Sequence, residues 1–336
     1  MRAVIRADAA QQLGSGHVIR TLVLARALAA RGATVTYAMR EGDGDMREFV
    51  RAAGFRVDPA EPPDTASAPV DLLVVDCYAL GARYERSMRP YAKTIAVIDD
   101  LADRAHDCDV LIDQNVPGSG AGRYAGLVPA HARCLLGPRY ALLREEFRPY
   151  WPGVRVRASL ERILVAMGGF DAQNQTMKVL RAIGALRAAP AVDVVLPQDA
   201  PHAAQVRALC QERRYTYRGR AGNIATLMES ADLCIGAAGM TTWERCAMGL
   251  PSIVITLAQN QFAGATFARE CGAIQLLGDF SVVDEVAITR TMTRLQGDAA
   301  ALSAMSSAAR AVVGAGGGEF TTDRTLSSLL EVCNAN

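Results

Sequence analysis

Neither sign of charge predominates in this sequence: 36 Lys and Arg stand against 35 Asp and Glu in 336 residues. Without a basic excess, a nucleic-acid or membrane-surface partner is not expected, since both are held largely by Lys and Arg. Of the 8 cysteines, no two form a CxxC pair, and several lie in apolar runs where reduced cysteine acts as a small hydrophobe. No signal peptide is legible, because "MRAVIRAD" enters a strand at once, so a reducing cytoplasm is the expected compartment. The uncharged stretch "GLPSIVITLAQNQFAGATFA" has the length of a membrane span, but Pro251, Asn260 and two glutamines interrupt it. It reads as strand, loop and helix, and no membrane span is expected.

Short β-branched runs alternate with helical patterns. "RAVIRAD", "ATVTYAM", "DLLVVD", "KTIAVID", "DVLIDQ", "RILVAMG", "VDVVLP", "DLCIGA" and "PSIVITL" read as buried parallel strands, which places the fold in the α/β class. In the helix after the first strand, Val18, Leu22, Ala25 and Ala29 recur at helical spacing and form its expected buried face. The alternation breaks near residues 148–160, where two prolines and a charge cluster mark a linker. Two Rossmann-like domains are therefore expected, 1–150 and 151–336, facing a cleft. Each opens with a strand, a glycine turn and a helix. The glycine-rich "GAGGGEF" reads as a hinge between late helices, because no strand leads into it.

Five stretches carry candidate chemistry. In "DLCIGAAGMTTWERCAMGLPSIVI" a strand ends at Gly236, Gly239 permits close backbone approach, and Met240, Thr241 and Thr242 open a helix whose free N–H groups suit a diphosphate. Glu244, one turn in, suits a ribose diol; the competing reading is a capping box of Thr241 and Glu244. In "GSGH", Gly14 and Gly16 precede His17 at a helix start, where the dipole favours a neutral ring able to act as a base; the alternative is a histidine capping its own helix. Asp76 and Tyr78 of "VVDCYALG" fall at a strand end, where side chains meet a cleft; the alternative for Asp76 is capping of the next helix. Asp99, Asp100, Asp103, His106, Asp107 and Asp109 crowd together; turn formation and capping explain them better than a metal, and no metal is expected. Asn260 and Gln261 follow a strand, where amides can read sugar hydroxyls or Asn260 can cap a helix.

Together these stretches resemble the UDP-2,4-diacetamido-2,4,6-trideoxy-β-L-altropyranose hydrolase (PseG) family of pseudaminic acid biosynthesis. The resemblance spans roughly residues 2–275. It is carried by "RADAAQQLGSGHVIRTLVLA", "DCY", "GPRYALLREEF", "GGFDAQNQT", "AQNQ" and, most diagnostically, "DDLADRAHDCDVLIDQN". More distantly, "GSGHVIRTLVLARALAARGATVTYAM" and "IGAAGMTTWERCAMGLPSIVI" look like the glycosyltransferase MurG, which implies the GT-B architecture with UDP held mainly by the second domain.

The resemblance implies metal-independent hydrolysis of a UDP-sugar, without a cofactor, by water attack at the anomeric carbon with inversion. It makes His17 the catalytic base and puts Tyr78 at the sugar. Glu244 falls on the ribose, Gly239, Met240, Thr241 and Thr242 on the diphosphate, and Asn260 and Gln261 on the sugar amides. The backbone of Ile224 falls on uracil. Gly14, Gly16, Gly168 and Gly169 are the loop glycines on the substrate side. Three departures stand out: Met240 replaces the usual serine, Phe170 stands where "GGSD" has serine, and "RADAA" replaces "RSDSS". They make the loops less polar and point to an altered sugar. The rival readings are a GT-B glycosyltransferase using the same UDP site and a non-catalytic UDP-sugar-binding protein. Contacts with other enzymes of the route are left open.

Overall fold

A computed structural model describes residues 1–9, 16–42, 44–60, 69–116, 122–188, 190–316 and 318–335. The chain forms two compact units, Met1–Arg144 with Glu319–Asn336, and Glu145–Gly318.

The first unit is built on strands β1 (Arg2–Ala7), β2 (Thr34–Met39), β3 (Arg56–Pro59), β4 (Val70–Asp76), β5 (Ala92–Ile98), β6 (Val110–Asp113) and β7 (Arg133–Leu136). All pair in parallel, in the order β3-β2-β1-β4-β5-β6-β7. Helices α1 (Gly16–Ala30), α2 (Arg47–Ala52) and α3 (Ala82–Met88) connect them. Central strands are apolar on both faces because helices cover both faces: Leu72, Leu73, Val74 and Val75 of β4 are all buried. The strand order reverses between β1 and β4, so the loops leaving their carboxyl ends diverge and open the crevice where such sheets hold ligands.

The second unit repeats this plan with β8 (Arg162–Ala166), β9 (Ala191–Val194), β10 (Thr216–Tyr217), β11 (Leu233–Ala237), β12 (Ser252–Thr256) and β13 (Gln275–Asp279), ordered β10-β9-β8-β11-β12-β13. Its helices are α4 (Gln175–Gly184), α5 (Ala203–Arg213), α6 (Ile224–Ser230), α7 (Met240–Ala247), α8 (Phe262–Glu270), α9 (Glu285–Gln296) and α10 (Ala299–Val313). Here the order reverses between β8 and β11.

Two expectations need correction. The boundary falls at residue 145, and the second domain does not run to the end of the chain. After the glycine-rich stretch, α11 (Thr321–Ala335) returns to the first unit, where Leu326 and Leu329 join the core beside Leu24, Leu28 and Leu72. Each such leucine contributes about 1.5–3 kcal/mol on burial, enough to hold the returning helix. Thr322 and Thr325 also donate to the carbonyls of Leu143 and Tyr140. The second correction concerns α1. Its buried set is broader than one stripe and takes in Leu24 and Leu28, while Ala29 is exposed. Because α11 packs on α1 as well as the sheet does, the apolar face widens.

Among the described residues, no helix is long and apolar enough to cross a membrane.

Candidate functional site

The first cluster lies where β1 and β4 part. Gly16 and His17 are the first two residues of α1; Gly14 lies outside the described residues. His17 therefore belongs to the helix itself. Its Nδ1 is 2.5 Å from Oδ1 of Asp76, the last residue of β4. One turn along α1, Arg20 clamps the same carboxylate, with Nε 2.6 Å from Oδ2 and Nη2 2.6 Å from Oδ1. This fork-to-fork geometry is the strongest that a guanidinium and a carboxylate make. The other arm of Arg20 reaches Asp100 Oδ2 at 3.1 Å. Asp100 also accepts from the Tyr78 hydroxyl at 2.6 Å and from Asn115 Nδ2 at 3.0 Å. The Tyr78 ring meets His17 edge-on, centroids 4.4 Å apart.

The electrostatics fix the histidine tautomer. Burial alone would raise the Asp76 carboxyl, but Arg20 and His17 outweigh it and hold the group at about 2. An ionised carboxylate only accepts, so the 2.5 Å contact to Asp76 calls for a proton on Nδ1; Arg20 Nη2, 3.2 Å away, only donates and would favour a lone pair there, but its contact is the longer one and it already donates to Asp76. In the neutral ring the proton therefore sits on Nδ1, donated to Asp76, and the lone pair sits on Nε2.

Sequence reasoning singled out His17, Asp76 and Tyr78, with helix capping as the alternative for Asp76. The helix after Asp76, α3, takes Gly81 as its N-cap with no side-chain cap bond, so the carboxylate serves His17 and Arg20 instead. Arg20 was not anticipated. Its signal was present: at i+3 from His17 it shares one face of α1.

The acidic run resolves into arginine pairs. Asp99 and Asp103 pair with Arg104, Asp107 and Asp109 with Arg89, and Asp100 with Arg20. His106 Nδ1 lies 2.7 Å from Glu85 Oε1. Asp99 also accepts from the Ala102 N–H at 2.9 Å, a turn contact. Among the described residues, no group of three or more His, Cys, Asp or Glu is placed to hold a metal ion. Asp113, at the end of β6, has its carboxyl raised by burial and accepts from Arg123 and Tyr124.

In the second unit Gly168, Gly169 and the Gly239 turn leave β8 and β11, the strands beside the reversal, while Ile224 follows β10 and Asn260 and Gln261 follow β12. Gly168 (φ +98°) and Gly169 follow β8, with Phe170 exposed beside them. Asp171 then accepts from the Gln175 and Thr176 N–H groups at the start of α4. After β11 the chain turns at Gly239 (φ +120°), a backbone conformation that side chains rarely adopt, and Met240, Thr241 and Thr242 begin α7. The N-cap is Gly239, with no side-chain cap bond, so the capping box of Thr241 and Glu244 does not form. Glu244 lies buried within α7. Ile224 opens α6, whose N-cap Asn223 accepts from the Thr226 N–H at 3.1 Å. Asn260 and Gln261 occupy a 3₁₀ turn after β12, and the N-cap of α8 is Gln261, whose side chain makes no cap bond. Gln261 Oε1 accepts from the Leu257 N–H at 2.9 Å, which holds that amide beside the Gly239 turn.

No protein-family model matches the chain. Three curated relatives resemble it at low identity. An uncharacterized protein, MJ1062, of Methanocaldococcus jannaschii is 25% identical over 81% of this chain, which spans 57% of that protein's length. The spore coat polysaccharide biosynthesis protein SpsG of Bacillus subtilis is 27% identical, covering 86% of this chain and 87% of its own. The UDP-2,4-diacetamido-2,4,6-trideoxy-β-L-altropyranose hydrolase of Campylobacter jejuni is 26% identical over 53% of this chain and 64% of its own. Among solved structures, MurG of Acinetobacter baumannii superposes with a TM-score of 0.69 at 16% identity, covering 98% of this chain and 99% of its own. The spinosyn rhamnosyltransferase SpnG, complexed with thymidine diphosphate, gives 0.66 at 16% identity, covering 98% and 100%. The fold is thus α/β with the GT-B architecture of these glycosyltransferases.

Proposed function

We propose that this chain hydrolyses a UDP-sugar of the 2,4-diacetamido-2,4,6-trideoxy type to UDP and the free sugar. The observation that carries the reading is the Asp76–His17 pair, which fixes the ring so that Nε2 bears the lone pair. In the reaction, water forms a bond to the anomeric carbon as the bond from that carbon to the diphosphate oxygen breaks. The bonding electrons leave with UDP, and Nε2 of His17 takes the water's proton. Base assistance of this kind is worth about 10²–10⁴-fold. Tyr78, against the His17 ring and hydrogen-bonded to Asp100, borders the sugar. The start of α7 takes the diphosphate on the N–H groups of Met240 and Thr241, which also stabilise the charge that develops on departing UDP, while the Thr242 N–H donates to the Gly239 carbonyl. Glu244 takes the ribose, the Ile224 backbone takes uracil, and Asn260 and Gln261 read the sugar. Gly168 and Gly169 keep the loop after β8 slim, and Gly16 leaves the start of α1 without a side chain. The named activity of the Campylobacter relative supports hydrolysis.

The glycosyltransferase likenesses favour a second reading, transfer of the same sugar to an acceptor. One assay separates the two: UDP release is followed with UDP-sugar alone and with candidate acceptors added. Release without acceptor supports hydrolysis. Strict acceptor dependence overturns it in favour of transfer, and binding without turnover leaves a non-catalytic receptor.

The diphosphate turn has its own test. Gly239 sits at φ +120°, which a β-branched residue reaches only with strain of about 1–3 kcal/mol. Gly239→Val is therefore expected to distort the turn and weaken UDP binding about tenfold or more, while circular dichroism keeps its wild-type shape. Unchanged UDP affinity by calorimetry would place the nucleotide elsewhere.

A further inference from the structure

Beneath the β11–α7 turn lies a buried cation that has no acidic partner among the described residues. Arg245 is 1% exposed, and its side chain runs back toward the start of α7, the direction in which helical side chains lean. Nη2 donates to the Ala237 carbonyl at 2.9 Å and to Thr242 Oγ1 at 3.1 Å; Nη1 lies 3.4 Å from Thr241 Oγ1. Nε is buried with no hydrogen-bond partner. Gly236 makes the room: a Cβ there would fall 2.6 Å from Nη1.

A second buried arginine shows what is unusual. Arg157 is also fully buried, but it has an acidic partner in Glu229, whose Oε2 lies 3.4 Å from Nη2, and it donates to the carbonyls of Met228 and Ala231 at the end of α6 and of Met248 just past α7. Those are the negative ends of helices, where a cation is stabilised. Arg245 brings its charge to the positive end of α7. A cation placed there, dry and unpaired, is unfavourable in the empty protein. A bound anion reverses that balance.

We propose that Arg245 is a positioning residue for an anionic ligand of the diphosphate class at the start of α7. It acts in two ways. Its charge lies directly under the turn. By donating to Oγ1 of Thr242 and approaching that of Thr241, it occupies their lone pairs and leaves the hydroxyl hydrogens to donate to phosphate oxygens. That recovers the donor capacity lacking at Met240. The inference rests on the nucleotide reading above for the identity of the ligand, but not for its charge.

The test compares wild type, Arg245→Lys and Arg245→Met in calorimetric titrations with UDP and with uridine, which lacks phosphate. Arg245→Met is expected to lose UDP affinity about tenfold or more with uridine affinity unchanged, and Arg245→Lys, which keeps the charge, to recover part of the loss. Equal losses for both ligands, or UDP affinity at the wild-type level, would overturn the proposal. Should Arg245→Met not fold, Arg245→Lys carries the test: a selective severalfold fall for UDP supports the proposal, and no change in the UDP-to-uridine ratio overturns it. If wild type binds neither UDP nor uridine, the nucleotide reading fails, and inorganic diphosphate becomes the probe. Arg245-dependent binding of diphosphate then sustains this inference, and absence of binding ends it.

Discussion

His17→Asn is expected to lose about 10²-fold or more in kcat while UDP-sugar affinity and Tm stay close to wild type. The structure makes this replacement informative. An asparagine amide can still donate to Asp76, so the carboxylate keeps a partner and the buried network stays satisfied. What disappears is the basic nitrogen, because an amide takes no proton at neutral pH. A residue present only to hold Asp76 tolerates the change; a base does not. Single-turnover and steady-state rates, compared with substrate affinity measured by calorimetry, give the answer. Near-normal turnover in the variant would reduce His17 to a structural contact.

The largest effect on stability is expected at Asp76. Asp76→Ala removes the carboxylate that faces Arg20 and His17 in a setting where all three side chains are buried. Deleting one partner of a buried ion pair costs about 3–5 kcal/mol, and Arg20 keeps Asp100, at 3.1 Å, as its acidic partner. Chemical denaturation measures the loss; a change under about 1 kcal/mol would show that the network is not closed as described. The same carboxylate sets an acid limit. Its folded value of about 2 lies below the unfolded carboxylate range, so on acidification the unfolded chain takes up the proton first. The contribution of about 2–3 kcal/mol is whole above about pH 4 and is lost as pH falls toward the folded value. In Asp76→Ala that segment of the acid-stability curve should be flatter than in wild type.

Much of the architecture was legible because a two-sided sheet imprints long apolar runs on its inner strands. All nine strands read from the sequence are present, and the four not read, β3, β7, β10 and β13, are the edges of the two sheets. Edge strands bury less. "RVDP", "RCLL", "TY" and "QLLGD" carry charges, glycine or proline, or are too short to show a pattern. The site was legible in part for a related reason. Glycine turns and polar residues at the ends of apolar strands identify where a crevice opens, and His17, Tyr78 and the Gly239 turn do follow the carboxyl ends of β1, β4 and β11. Pairing was not legible. Nothing local in the sequence ties Arg20 to Asp76, 56 positions away, or gives Asp100 to Arg20 and Tyr78 rather than to the acidic run around it. Arg245 escaped notice because its meaning lies in the missing carboxylate, and only a folded structure shows an absence of that kind.

The return of α11 gives the chain a nested order of construction. Synthesis runs from the amino end, so the first unit's seven strands emerge early but lack the helix that covers Leu24 and Leu28 until residues 321–335 have left the ribosome. The second unit is one uninterrupted segment, complete by Gly318. Domains fold as units once their residues are available. The later-born half therefore finishes first, and the unit holding His17 closes its core only with the last helix. A premature stop just after the glycine-rich stretch would spare the half made second and leave the half made first unfinished.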